Sequence, residues 1–421
     1  MMAFASILHK VWTSWWFRTL LALAIAFFIY AEAHEGRNDL DIFLAASVDL
    51  FKGVDIYTAT YFDGYHYYYS VLFASVIRPL ADLPIWCAKA FWIVINVVML
   101  FRIWRICLRF LPAPWLKMEM KTLFGFFLLI FCLRFIRGNL HLCQMTILML
   151  YLSVESMNQV RNQKPWIAGV LLAFAINIKL LPIVLLPYLI YRAHWKASIS
   201  AILVVLVLYM APMLWMGKTQ NDFLLSSWWH LVNPTQQKHV LDIEESSFHG
   251  LTTLFSILFV EDTKELNGLP NTRHVTNVSL ETLHWIIQIV RLILIAGTLW
   301  FLRTRPFVSS RSTYHTWWEV SYLLLLVPLI FPHQQHYAFL MAMPAVAWII
   351  YWNIAEIRLG RFHWLILSFV FLIYLAFNLS LLLGTYTAIY NHYKILTYGA
   401  LLLIPVLGFT RPLKASYEAI V

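Results

Sequence analysis

The sequence predicts an all-α fold, a polytopic transmembrane helical bundle of about 12 membrane segments, each needing roughly 20 apolar residues. Three observations predict it. The chain is 61% hydrophobic and only 12% charged, against about 25% charged for an average soluble domain. Its mean hydropathy is +0.70. Its Lys and Arg residues fall in short clusters between apolar runs, as the positive-inside rule expects.

Charge scarcity excludes a soluble multidomain protein of 421 residues, because so little polar surface cannot clothe one. The chain reads instead as a single integral membrane domain over 1–421. The net charge of +10 does not indicate nucleic acid, since the cations form no single patch. Cys87, Cys107, Cys132 and Cys143 sit in or beside apolar runs. No C-x-x-C pair exists, so neither a zinc site nor a disulfide framework is expected.

The apolar runs lie near 16–32, 84–108, 121–136, 139–157, 166–178, 180–191, 197–216, 281–302, 315–332, 336–353, 362–384 and 393–410. The stretch 166–191 decides the topology. Read as one span, it puts Arg192, Lys196 and all later basic clusters outside. Lys179 and Pro182 break it into a pair of short helices, because proline disfavours helix at the preceding residue and an intramembrane Lys seeks a cavity or a partner. Both termini then become cytoplasmic. The inner segments carry 18 of the 31 Lys and Arg, Arg311 and Lys414 among them. The stretches 32–84 and 217–280 hold 8 and 7 of the 21 acidic residues, and face outward. Lys10 and Arg18 before Leu20 to Tyr30, with Ala31-Glu32-Ala33 beyond, resemble a signal peptide; an uncleaved signal-anchor fits this topology better.

The two long outer segments, 33–84 and 217–280, are where functional residues are expected, on loops held by a rigid scaffold. In the first, Leu40, Phe43, Ala46 and Leu50 recur at helical spacing and predict a short amphipathic helix in the interface. Asn38 or Asp39 can cap its start and Gly53 its end. Asp39 is thus an N-cap on local sequence alone, or a functional carboxylate. Tyr57 and the run Tyr65-His66-Tyr67-Tyr68-Tyr69 suit a headgroup-level belt, and also stacking against a sugar or an isoprenoid. The belt is the simpler reading.

Taken together, Asp39, Leu40, Phe43, Ala46, Gly53 and Tyr57, then Tyr69, Pro79-Leu80 and Leu83-Pro84, resemble the opening of glycosyltransferase family 87. That pattern runs Asp-aromatic-x-x-Tyr, Ala, then Gly-x-x-x-Tyr; Leu40 and Phe43 depart from it. Cys143-Gln144-Met145-Thr146 is similar to the family's Gly-Gln-x-Asn, with the Gly and Asn changed. Ala168-Gly169-Val170-Leu171 with Lys179 and Pro182 resembles its Ala-Gly run and Lys-x-x-Pro. Ser246 to Gly250 resembles an outer-loop Asn-x-Ser stretch, and Pro332 to Tyr337 its Pro- and His-bearing turn.

The resemblance implies a GT-C fold and a hexosyltransferase working on the outer face of the cell membrane. It implies a polyprenyl-phosphate-linked donor, mannose foremost, a glycan or glycolipid acceptor, and no nucleotide sugar; the sequence itself offers no obvious metal cluster, and no cofactor is expected. Asp39, with Asp41 as the other candidate, would be the base. Lys179, His336, His333 and Arg137 would hold the donor phosphate, and Tyr57, Tyr69 and Gln144 would line the substrate. Each has a plainer reading: a snorkelling Lys179, interfacial hydrogen bonding for His333 and His336, an interface anchor for Arg137. An O-antigen ligase or polymerase would place its key residues in a late outer loop, whereas the best carboxylate here is in the first. A lipid-linked-glycan transporter would need polar residues along a path through the bilayer midplane, and few are present.

Overall fold

A computed structural model describes residues 2–62, 64–111, 117–233, 241, 246–261, 263, 269–309 and 312–412. Arg311, Lys414 and part of 217–280 lie outside them. The described residues are overwhelmingly helical, and their only β-pairings are two isolated bridges, Tyr61 with Tyr65 and Phe248 with Gln335.

Among the described residues six helices are long and apolar enough to cross a membrane: Trp15–His34, Ile85–Phe110, Trp195–Met216, Leu280–Leu302, His336–Arg358 and Trp364–Leu381. Two bent pairs, Met118–Phe131 with Leu133–His141 and Gly384–His392 with Ile395–Phe409, raise the number to 8. The twelve expected segments are not reached. Part of the difference lies at the predicted break: the helix Pro165–Ile178 has 14 residues and Leu185–Tyr191 only 7. At 1.5 Å per residue the longer covers about 21 Å, less than a hydrocarbon core of about 30 Å. The chain does leave the helix at Lys179, which is extended, and resumes as a 3-10 turn over Leu181–Val184 around Pro182.

The chain folds as two compact units, each assembled from two stretches: 1–106 with 137–233, and 107–136 with 234–421. In the first unit, helix Pro165–Ile178 packs on Trp195–Met210. Gly169 explains how closely: a Cβ there would collide with Ser200 and with the backbone of Ala197 and Ala201. Ala197, Ser198, Ser200 and Ala201 line the buried stripe, while Ile199, Leu203, Leu206 and Met210 are exposed. Small residues inward and large apolar residues outward is the pattern of helices packed in lipid, where backbone approach rather than water exclusion drives association. Ser200 Oγ donates to Trp166 O at 2.9 Å and Ser156 Oγ to Ala168 O at 2.7 Å, joining neighbouring helices.

In the second unit the helices Thr313–Ile330 and Met343–Arg358 are buried along most of their length. Trp317, Trp318 and Trp348 fill this core, and each indole N–H reaches a backbone carbonyl, of Pro344, Leu407 and Thr410. Burying so much ring costs little when its one polar group is satisfied. The bend between Phe131 and Leu133 frees backbone groups that lipid cannot satisfy. Asn378 meets them: its Nδ2 donates to Phe131 O at 2.9 Å and its Oδ1 accepts from Arg134 N at 3.4 Å.

Candidate active site

The segment 33–84 contains the predicted helix, Asp39–Phe51. Leu40, Ile42, Phe43, Leu44, Ala46, Ser47 and Leu50 are all buried, so it is embedded more deeply than an interfacial helix with one wet face. Its cap is Asn38, whose Oδ1 accepts from Leu40 N at 3.1 Å. Asp41, the third helical residue, accepts from Asn38 N at 2.8 Å and completes a capping box. Gly53 ends the helix with φ +81°.

This cap separates the two carboxylates. Asp41 is held by the Asn38 backbone and by Lys89, whose Nζ lies 3.1 Å away and also donates to Gly36 O at 2.8 Å. Asp39, half-buried in the first turn, points instead to Gln144, whose Nε2 donates to its Oδ2. The N-terminal end of the helix favours its ionised form.

Gln144 is almost fully buried. It follows Cys143, which takes the left-handed φ of +50° and turns the chain so that Gln144 N bonds Asn139 O at 2.9 Å. Asn38 Nδ2 fastens the same turn through His141 O at 3.3 Å. Gln144 Oε1 accepts from Tyr69 OH at 3.1 Å, and Tyr57 OH donates to Tyr69 O at 2.9 Å. A continuous line of hydrogen bonds therefore runs from Tyr69 through Gln144 to Asp39.

The tyrosines correct the belt reading. Tyr57, Tyr67 and Tyr69 are buried, and Phe43 meets Tyr69 edge-on with centroids 4.7 Å apart. Of this run only Tyr65 is exposed. The rings are the packed floor beneath the helix that carries Asp39. Lys179, at the helix break, sits with Nζ 5.7 Å from the Tyr69 ring centroid. Asp39 is the carboxylate that acts on this ammonium. Asp39, Gln144, Tyr69 and Lys179, drawn from four separate stretches, thus converge in the first unit.

Arg137 is exposed on helix Leu133–His141 and makes no such convergence. Its neighbour Arg134, 6% exposed, is the buried cation of that helix. His333 and His336 belong to the second unit. His333 takes a left-handed φ of +55° and stacks edge-on with Phe248, centroids 5.5 Å apart. Sequence reasoning also missed Lys89, and the set Glu32, Glu35 and His141. His141 Nδ1 lies 2.8 Å from Glu32 and 3.3 Å from Glu35, and their ligand atoms gather within 4.8 Å.

The fold and site define a polytopic helical membrane protein that sets a carboxylate and an ammonium together at the start of one helix and the break of another. The sequence model of glycosyltransferase family 87 matches residues 67–316, more than half of the chain. The chain belongs to that family and is a membrane glycosyltransferase. Tyr69, Arg137, Gln144 and Lys179 fall within the matched span; Asp39, Asp41 and Tyr57 precede it and His333 and His336 follow it. No curated protein and no solved structure matches the chain.

Proposed function

We propose that this glycosyltransferase has the GT-C fold and moves a hexose, mannose foremost, from a polyprenyl-phosphate carrier to a glycan or glycolipid acceptor on the non-cytoplasmic face of the cell membrane, with both chain termini in the cytoplasm. The observation that carries the reading is the division of labour between Asp39 and Asp41. One carboxylate is consumed by a cap and an ion pair. The other lies outside the capping box, is oriented by Gln144 and is set beside Lys179.

The chemistry is a displacement at the anomeric carbon. The acceptor oxygen forms the new glycosidic bond as the bond to the phosphate oxygen breaks, and the acceptor proton passes to Asp39. A carboxylate is a weak base. It suffices because the hydroxyl is held close and loses its proton only as the bond forms. The Gln144 N–H fixes which oxygen faces the acceptor. Lys179 supplies positive charge to the departing phosphate, and the lipid tail lies in the bilayer. The test is incubation of membranes containing the protein with radiolabelled polyprenyl-phosphate-mannose. Label moving to a glycan or glycolipid supports the reading. Unchanged donor in the presence of competent acceptor membranes, beside active transfer from a nucleotide sugar, would overturn the donor assignment.

A further inference from the structure

We infer that His141 is a positioning residue for transfer: gripped by Glu32 and Glu35 at the exit of helix Trp15–His34, it fixes the turn that carries Gln144 and so the aim of Asp39. This rests on the transfer reading and extends it to residues that act only through Gln144.

Glu32 stands where local chemistry does not favour a carboxylate. It lies in the last turn of Trp15–His34, and Glu35 is the C-cap. A helix C-terminus is the negative end of the dipole, where acidic side chains are disfavoured. Glu32 is also only 8% exposed, and a charge is costly to bury unless it is paired and hydrogen-bonded. His141 supplies the pair. Its Nδ1 lies 2.8 Å from Glu32 Oε2 and 3.3 Å from Glu35 Oε2, so two carboxylates converge on one ring nitrogen.

The backbone of His141 is held as well. Its carbonyl accepts from Asn38 Nδ2 at 3.3 Å, and Asn38 Nδ2 also reaches Cys143 Sγ at 3.4 Å. The short stretch from Glu32 to Asn38 therefore grips the turn twice, the ring by its start and the backbone by its end. Asp39 follows Asn38 directly, and Gln144 follows Cys143 directly. The hydrogen bond from Gln144 Nε2 to Asp39 thus joins two segments whose relative position this clamp sets. Helix Ile85–Phe110 braces both: Lys89 Nζ donates to Gly36 O at 2.8 Å and Trp92 Nε1 to Gln144 O at 3.4 Å, from positions three apart on one helix face.

A staple between two helices would need only one carboxylate and could sit anywhere along their length. This one closes at the turn that delivers Gln144 and on the segment that delivers Asp39. Gln144 N bonds Asn139 O across the same turn, so a turn released from the glutamates carries Gln144 with it. A reacting group displaced by about 1 Å can lose around 10²-fold in rate.

The test is a double-mutant cycle on the full-length protein in membranes, with radiolabelled polyprenyl-phosphate-mannose as donor and transfer counted per folded molecule. His141→Leu should lower kcat by about ten- to a hundredfold and leave the donor KM near wild type. His141→Asn puts an N–H where Nδ1 stands and should restore most of the loss. Glu32→Met removes a buried charge from the end of an apolar helix; it should lower kcat in the same direction, and it serves where His141→Leu does not fold. Added to Gln144→Leu, either change should cost less than about twofold more, because residues acting through one another are not additive while independent ones are. Full multiplication of the two losses, or a normal kcat in folded His141→Leu and Glu32→Met, overturns the inference and leaves a structural staple. A raised KM with kcat kept overturns it too. Asp39→Asn separates the two readings. Persisting transfer there sinks the base assignment, whereas a dead Asp39→Asn enzyme beside a His141→Leu enzyme of normal kcat sinks the clamp alone. Hydrogen exchange over residues 139–145 needs no donor. Protection should fall in His141→Leu and return in His141→Asn, and unchanged protection overturns the clamp whatever the transfer assay gives.

Discussion

The carboxylate of Asp41 lies 3.1 Å from the ammonium of Lys89, a side chain only 3% exposed. Removing one partner of a buried pair leaves the other uncompensated, at a cost of roughly 3–5 kcal/mol. Asp41 also closes the capping box on Asn38. Asp41→Asn should therefore lower the melting temperature and the yield of folded protein, with turnover per folded molecule largely kept. Asp39→Asn should do the reverse: it abolishes transfer and leaves stability near wild type. Thermal melting and radiolabel transfer on both variants decide. An active Asp39→Asn protein beside a folded but dead Asp41→Asn protein would exchange the two roles.

Gln144 is the residue through which Asp39 is aimed. Its amide bridges Tyr69 OH and the Asp39 carboxylate. Gln144→Leu keeps the volume and removes both bonds. A reacting group misplaced by about 1 Å can cost around 10²-fold in rate, so kcat should fall by about that factor while KM for the donor changes little. Gln144→Glu should be as damaging, because it sets a second carboxylate against Asp39. A Gln144→Leu enzyme with normal kcat and a raised KM would make Gln144 a substrate-binding residue instead.

The helix from Asp39 and the break at Lys179 were legible because each has a local cause. Apolar spacing with a polar start and a glycine end specifies the first, and a charge beside a proline in an apolar run specifies the second. Which residue caps the helix was not legible, since Asn38 and Asp39 are both good caps and only tertiary contacts to the turn at His141 choose. The tyrosines were misjudged because composition alone does not distinguish an interfacial ring from a buried one; packing against Phe43 does. Arg134 and Arg137 are three residues apart on one helix, and the bend at Cys132 determines which is buried. His141 carries no local signal, and only the fold brings it to Glu32, 109 positions away.

Lys179 faces the Tyr69 ring and feels Asp39. Lys179→Met keeps the apolar stem and removes the charge. If the ammonium serves the departing phosphate, transfer should drop by about 10²–10³, with insertion and melting temperature little changed. Lys179→Arg should recover part of that loss, because the charge returns in a broader shape. Equal activity in Lys179→Met and the wild type would show a lysine that serves only the helix break.

Gly169 tests the packing of the first unit. A Cβ there meets Ser200 and the backbone of Ala197 and Ala201 at once, and backbone cannot rotate away as a long side chain can. Overpacking a well-filled interface costs typically about 1–3 kcal/mol. Gly169→Val should lower the melting temperature clearly, whereas Gly297→Val, where the nearest atom is Tyr322 Oη at 4.0 Å, should not. Similar melting of both would mean that the two helices are free to separate without loss.

Sidedness follows from the break at Lys179 and is open to direct labelling. If that stretch enters and returns on one side, the turn near Lys196 is cytoplasmic and the start of the segment 217–280 is outside. The probes must be accessible side chains. Asn221 is fully buried, with Nδ2 bonded to Tyr209 O at 3.1 Å, so a cysteine there would stay unlabelled on either side. Thr219 and Lys196 are exposed. Of the native cysteines only Cys87 is partly accessible, so it is first replaced by Ser. A charged maleimide should then label Thr219→Cys in intact cells, and Lys196→Cys only after permeabilisation. The proposed inner segments carry two to five Lys and Arg each, which makes inversion unfavourable by the positive-inside rule. Labelling of Lys196→Cys in intact cells would show that 166–191 crosses completely. The later basic clusters would then lie outside, and Lys179 would be placed within a span rather than at the mouth of a cavity. That outcome would overturn the outer-face assignment of the site, while the placing of Lys179 by Tyr69 and Asp39 rests on the fold itself.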